Sequence, residues 1–178
     1  NSSPPSVLAE MLTSTLGAQC MLWQTSPAAT EMETRITGWL QKMTGLPTDL
    51  HGVIQDSASS ATLCALLTAR EKATDWRTNK EGMNSLSSSL IVYTSEEAHS
   101  STEKGAKIAG FGKDSVRLIR TGNNFEMCPE ALRRNVVEDI SNGYTPACVV
   151  ASMGTTGVGA TDPLKAIGQL CKEYEIFL

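Results

Sequence analysis

Apolar residues recur along this chain in two rhythms, and the first belongs to helices. Pro5 to Leu16 reads as one helix, with Gly17 at the position past its end where a left-handed residue is wanted. Ser26-Pro27 has the look of an N-cap followed by proline in the first turn. Met32, Ile36, Trp39, Leu40 and Met43 then follow at helical spacing, until Gly45 and Pro47 stop the pattern. Such a stripe is a packing surface. No strand precedes these helices, so residues 1–48 are expected to form a leading helical segment that contacts another subunit.

From residue 49 onward the rhythm changes to short apolar bursts separated by helical stretches. Gly52-Val53-Ile54-Gln55 reads as a short strand, followed by a helix from Ala61 to Lys72. Asn79 to Ser88 is polar and loop-like. Leu90 to Tyr93 has the continuous apolar character of a strand buried on both faces, and Ser101 to Gly110 follows as a helix. Ser115 to Ile119 alternates, as a strand with one wetter face would. A helix opening at Pro129 carries Leu132, Val136 and Ile140 on one side. Pro146 to Ala151 is another buried strand, and Asp162-Pro163 caps a last helix reaching about Tyr174. Strands alternating with helices predict an α/β fold with a mainly parallel sheet flanked by helices.

Three strand-to-helix turns carry the candidate chemistry. Asp56-Ser57-Ala58-Ser59 sets small residues and hydroxyls at a helix N-terminus, where unpaired N–H groups and the helix dipole favour a phosphate. Ordinary capping by serine produces the same pattern. The second turn, Ala98-His99-Ser100-Ser101-Thr102-Glu103, places an imidazole at the C-terminal edge of a strand, where open α/β sheets bind ligands. Ser100-x-x-Glu103 within it is a capping-box pattern. The third, Gly154-Thr155-Thr156-Gly157, offers hydroxyls and a close backbone approach, or simply a tight turn that needs glycine. Neither G-x-G-x-x-G nor a P-loop pattern occurs.

Composition narrows the classes further. At 178 residues the chain can bury a sizeable core, and 40% hydrophobic with 19% charged residues is ordinary for a globular protein. A net charge of −4 with dispersed Lys and Arg argues against a nucleic-acid partner, and no apolar run reaches the length of a membrane span. Five scattered cysteines without C-x-x-C read as reduced thiols of a cytoplasmic protein, and with only His51 and His99 no metal site is expected. The opening Asn1-Ser2-Ser3-Pro4-Pro5 and the half-strand Glu175-Ile176-Phe177-Leu178 give the expectation of a piece of a longer polypeptide, truncated at both ends.

Four collinear motifs then resemble one enzyme family. They are Ser26-Pro27-Ala28-Ala29-Thr30-Glu31-Met32-Glu33; His51 to Thr62 with its Asp56-Ser57-Ala58-Ser59-Ser60; Ala98-His99-Ser100-Ser101 with Glu103-Lys104-Gly105-Ala106; and Gly154-Thr155-Thr156 with Thr161-Asp162-Pro163. Together they are similar to the group II pyridoxal-phosphate decarboxylases, and most of all to the aromatic-L-amino-acid decarboxylases, over essentially the whole chain.

The resemblance implies the fold-type I architecture of pyridoxal 5'-phosphate (PLP) enzymes, a mixed, mainly parallel sheet working as a homodimer. It implies that an aromatic L-amino acid is converted to the amine and CO2, with oxidative conversion to an aldehyde, or an inactive scaffold and dimerisation fragment, as alternatives. It assigns Ala58 and Ser59, assisted by Ser57, to the cofactor phosphate. His99 would stack on the cofactor ring beside the substrate, Thr156 would hydrogen-bond near that ring, and Asp162 would stand behind it. Gln19 and Met21 would reach the neighbouring subunit's pocket. The family's lysine that holds the cofactor, the aspartate that pairs with its ring nitrogen and a mobile loop are all expected beyond Leu178, and an aromatic substrate segment before Asn1. The chain would then carry one wall of the site and lack its chemical centre.

Overall fold

A computed structural model describes residues 3–178 and divides into two compact units, 1–55 and 56–178. Asn1 and Ser2, which begin the opening stretch singled out above, lie outside the described residues.

The first unit holds two helices. α1 (Pro4–Leu16) starts with a capping box between Ser3 and Ser6 and stops at Gly17, whose φ of 56° is left-handed. α2 (Pro27–Thr44) has proline in its first turn and ends at Gly45 in the same conformation. The Ser26 side chain makes no capping bond; its backbone carbonyl accepts from Thr30 instead. The helical stripe exists as expected, but Met32, Trp39 and Met43 are all more than half exposed. The expected strand at Gly52–Gln55 does not form. The Ile54 N–H donates to a Glu33 carboxylate oxygen at 2.8 Å, which leaves no ladder to a neighbouring strand, and Val53 is 71% exposed. Gly52 has no room for a side chain, since a Cβ there would lie 2.7 Å from Thr37 Cβ.

The second unit is a three-layer α/β arrangement. Its sheet has the order β2-β1-β3, all parallel, with β1 (Leu90–Ser95) between β2 (Val116–Ile119) and β3 (Thr145–Val150). β1 is buried throughout, and its alternate residues serve two cores. Leu90 and Val92 face α3 (Ala58–Ala73) and α5 (Ser101–Ile108), packing with Leu66, Ala69 and Ala106. Ile91 and Tyr93 face α6 (Pro129–Ser141) and α7 (Leu164–Glu173), packing with Leu132, Val136, Ile167 and Leu170. This is the period-two alternation of a strand covered on both sides. Pro146, which has no N–H for the ladder, sits where the β1–β3 register shifts by one residue. Phe177 continues the sheet beyond β3, its carbonyl accepting from Val149 N–H at 2.8 Å.

Several element details depart from the pattern-based reading. The helix expected at Ala61 begins three residues earlier, at Ala58. A short helix α4 (Arg77–Glu81) and a 3-10 turn (Met83–Ser85) occupy part of the expected loop. On α6 the buried stripe is Leu132, Val136 and Asp139, with Ile140 turned 46% to solvent. Asp139 is drawn inward by charge pairing: its carboxylate accepts from Arg117 Nη2 at 2.6 Å and from the Tyr93 hydroxyl at 3.0 Å. Burial beside that carboxylate pushes the Tyr93 phenol well above its ordinary range, and the bonds to Asp139 raise the Arg117 guanidinium likewise. On β2 it is therefore Arg117 that folds toward the protein, while apolar Leu118 takes the wetter face.

Candidate active site

The chain leaves β1 into α5 on one face of the sheet and leaves β3 into α7 on the other. Adjacent parallel strands whose following helices diverge in this way open a crevice at their C-terminal ends, the common ligand position of open α/β sheets. His99 follows β1 and Thr156 follows β3, so they flank that crevice.

The α3 N-terminus reaches the same edge. Thr62 and Ala65, near the start of α3, line an apolar cavity of about 230 Å³ with Val150 and Ala151 at the C-terminal end of β3. Lys72 and Ala73, at the other end of α3, line a different cavity with Thr145 and Pro146 at the start of β3. α3 therefore runs antiparallel to the strands, with Ser57, Ala58 and Ser59 at the crevice edge. All three predicted turns thus lie at the C-terminal end of the one parallel sheet.

In the first turn Ser57 is the N-cap, its hydroxyl oxygen accepting from Ser60 N–H at 3.2 Å. Ala61 N–H goes to the Ser57 carbonyl. Ala58 and Ser59 belong to the first turn, whose amides have no carbonyl a turn earlier to donate to, and both residues are exposed. Capping and anion binding are thus compatible here, because they use different donors.

The second turn differs from its expected form. Ser100 has helical dihedrals and makes no side-chain cap, and Glu103 pairs with Lys107 at 3.1 Å instead of reaching back. The His99 ring takes the cap's place: its Nδ1 accepts from Ser101 N–H at 3.2 Å and lies 2.9 Å from Ser101 Oγ. The ring is exposed, and the backbone around it is held by Ala98 N–H on Ser95 carbonyl and by Thr102 N–H on His99 carbonyl. Sequence reasoning missed Ser101; the signal was present only as a serine two residues after the histidine.

In the third turn the two threonines have opposite situations. Thr155 is buried, its hydroxyl oxygen accepting from Ala160 N–H at 3.0 Å, while Thr156 is exposed at the tip. Gly154 and Gly159 have φ of 96° and 70°, so the hairpin does need glycine at those two points. Asp162 closes it from beneath. Only 2% exposed, it accepts at 2.7 Å from Met127 N–H and at 2.7 Å from Ser152 N–H, so its carboxylate ties the loop to the chain entering α6 instead of capping α7. Cys148, in the cavity wall, is a small hydrophobe: burial, aided by Cys171, pushes its thiol up to about 12.

A fold, an edge crevice and a donor set of this kind define a class of cofactor-binding α/β protein, and the comparisons say which. The pyridoxal-dependent decarboxylase conserved domain matches residues 1–178 in full, and the chain belongs to that family. It is 38% identical to tryptophan decarboxylase 2 of Oryza sativa subsp. japonica over 99% of this chain and 36% of that protein. It is 34% identical to 4-hydroxyphenylacetaldehyde synthase of Rhodiola rosea over 100% of this chain and 37% of that one. The crystal structure of Catharanthus roseus tryptophan decarboxylase in complex with L-tryptophan superposes with a TM-score of 0.89 at 34% identity, over 99% of this chain and 38% of that one. The chain spans little more than a third of the length of these relatives.

Proposed function

We propose that this chain forms the phosphate-holding and ring-covering wall of a PLP-dependent carboxy-lyase that converts an aromatic L-amino acid to its amine and CO2. The observation that carries this reading is that the Ser57–Ser59 turn, His99 and Thr156 all lie at the C-terminal end of the parallel β1–β3 pair.

The donor set fits the cofactor. A helix N-terminus with two uncommitted amides and the Ser59 hydroxyl suits a phosphate dianion. An exposed imidazole held by its own backbone suits a flat aromatic ring, and the Thr156 hydroxyl can reach a polar ring substituent. When bound, PLP supplies the electron sink for carbon–carboxylate cleavage, and the protein supplies orientation and electrostatics. In that division the α3 turn anchors one end of the cofactor. His99 would hold its plane and could move a proton near the substrate, and the Thr156 hydroxyl would hydrogen-bond near its ring. Asp162 acts through the backbone, keeping the Ser152–Thr161 loop in place.

We further propose that the complete protein works as a homodimer in the cytoplasm. The exposed apolar faces of α1 and α2 and five unpaired cysteines support this. The aldehyde-forming relative keeps a second product in view. The test is to incubate the complete protein and PLP with tryptophan, tyrosine, DOPA, phenylalanine and histidine, and to follow CO2, amine and aldehyde. Release of CO2 with amine from an aromatic substrate is expected. Aldehyde as the main product would replace the reading with its oxidative alternative. Absence of turnover together with absence of cofactor binding would leave only a scaffold.

A further inference from the structure

A neutral imidazole carries one proton, and which nitrogen holds it is set by the partners of the other. Nδ1 of His99 faces two groups of Ser101, the backbone N–H at 3.2 Å and the hydroxyl at 2.9 Å. The amide can only donate. Nδ1 must therefore present its lone pair, and the hydroxyl, which could serve either way, has a donor's role left to it. The proton belongs on Nε2.

We propose that Ser101 is a positioning residue that holds His99 in the Nε2–H form, so that the ring offers the crevice a hydrogen-bond donor and no acceptor. The atom opposite Nε2 in a bound compound is then an acceptor, such as a carboxylate, carbonyl or phenolate oxygen. Any proton His99 passes through that nitrogen is first given, not taken. Two donors converging on one lone pair also fix the ring's orientation about its Cβ–Cγ bond. Ser101 occupies the first position of α5 and is half-buried, with Thr102 behind it buried, so the serine cannot drift from the ring without unwinding the helix start. The effect on turnover rests on the function proposed above; the tautomer does not.

The experiment labels the complete protein with 15N-histidine and reads both ring nitrogens by two-bond proton–nitrogen correlation, with His99→Gln assigning the signals. An unprotonated Nδ1 and a protonated Nε2 are expected. Ser101→Ala, which keeps the amide and removes the hydroxyl, should shift the Nδ1 resonance while the amide keeps the proton on Nε2. It should also lower kcat about tenfold, as for one hydrogen bond lost to a reacting group, with KM and cofactor affinity changed less. Ser101→Thr should restore both readouts. A protonated Nδ1 in the unaltered protein would overturn the proposal, as would nitrogen resonances indifferent to Ser101→Ala or a threonine variant that fails to restore them. If no aromatic amino acid is turned over yet the resonances behave as expected, the function assigned above falls and the tautomer assignment stands.

Discussion

Residue by residue, the chemistry of this chain depends on which atoms are already spoken for. His99 has Nδ1 committed to Ser101 and its outer edge open. Replacing it with alanine in the complete protein should cost cofactor affinity about 1 kcal/mol, the scale of an aromatic contact. Turnover should fall on the order of a hundredfold, the scale of a proton-transfer group. Comparing a cofactor titration with steady-state rates checks the ratio, and equal losses would make His99 a packing residue. Glu71 shows commitment of another kind, at the far end of α3. Burial pushes its carboxyl up, but hydrogen bonds from Thr78, Arg70 and the Asn79 N–H outweigh it and hold it below the usual carboxylate range. The folded protein thus binds fewer protons at this site than the unfolded chain. Its contribution to stability is complete above the ordinary glutamate value of about 4.3 and is lost as pH falls through the lower folded value. Urea unfolding at stepped pH should show stability declining below that point, with a shallower decline in Glu71→Gln.

At the scale of elements, two contacts set where the turns sit. α5 crosses α3 so closely that a Cβ on Gly105 would stand 2.9 Å from Leu66 Cδ1, so the buried Leu66 side chain would have to shift. Gly105→Ala gains up to about 1 kcal/mol of helix propensity. Overpacking costs about 1–3 kcal/mol, so the net effect should be a loss of about 1 kcal/mol by chemical unfolding. In a Leu66→Ala background the same change should become neutral or favourable, because only propensity remains. Across the sheet, Asp139 joins α6 to β1 and β2 through Tyr93 and Arg117. Removing it leaves a phenol and a guanidinium facing a buried gap, and breaking a buried pair from one side costs about 3 kcal/mol. Asp139→Ala should lower the urea midpoint accordingly, and a change below about 1 kcal/mol would mean that water replaces the carboxylate.

For the whole molecule, the question is what covers the leading helices. Val7, Leu8, Met11 and Leu12 of α1 are exposed, as are Met32, Trp39 and Met43 of α2, and such contiguous apolar faces mark contact surfaces. A second copy of the chain is the proposed partner. Sedimentation of the complete protein should give a dimer, and Leu12→Asp with Trp39→Asp should shift it toward monomer while the circular dichroism of the α/β unit is retained. A dimer indifferent to both changes would place the interface elsewhere.

Among the described residues, periodicity alone determined the α/β class, six of the seven helices and all three strands of the sheet, because burial imposes a period of about 3.6 on helices and of two on strands whatever the detail. The family motifs were equally legible, since turns that need small residues, hydroxyls or glycine leave those residues in place. Four things were decided only in three dimensions. The segment at Gly52–Gln55 carries a strand's composition, but a side-chain carboxylate claims its amide before any strand can. Asp139 displaces Ile140 from the core because two partners distant in sequence arrive to satisfy it. Ile108, though apolar, is 72% exposed because the short helix α5 meets the core through Thr102, Gly105 and Ala106. His99 caps the helix that the Ser100–Glu103 pattern assigned to a serine, since Ser100 is already helical and its neighbour's imidazole lies closer to the free amide. Local pattern reports what each residue prefers; which hydrogen-bond partner reaches it first is a property of the folded chain.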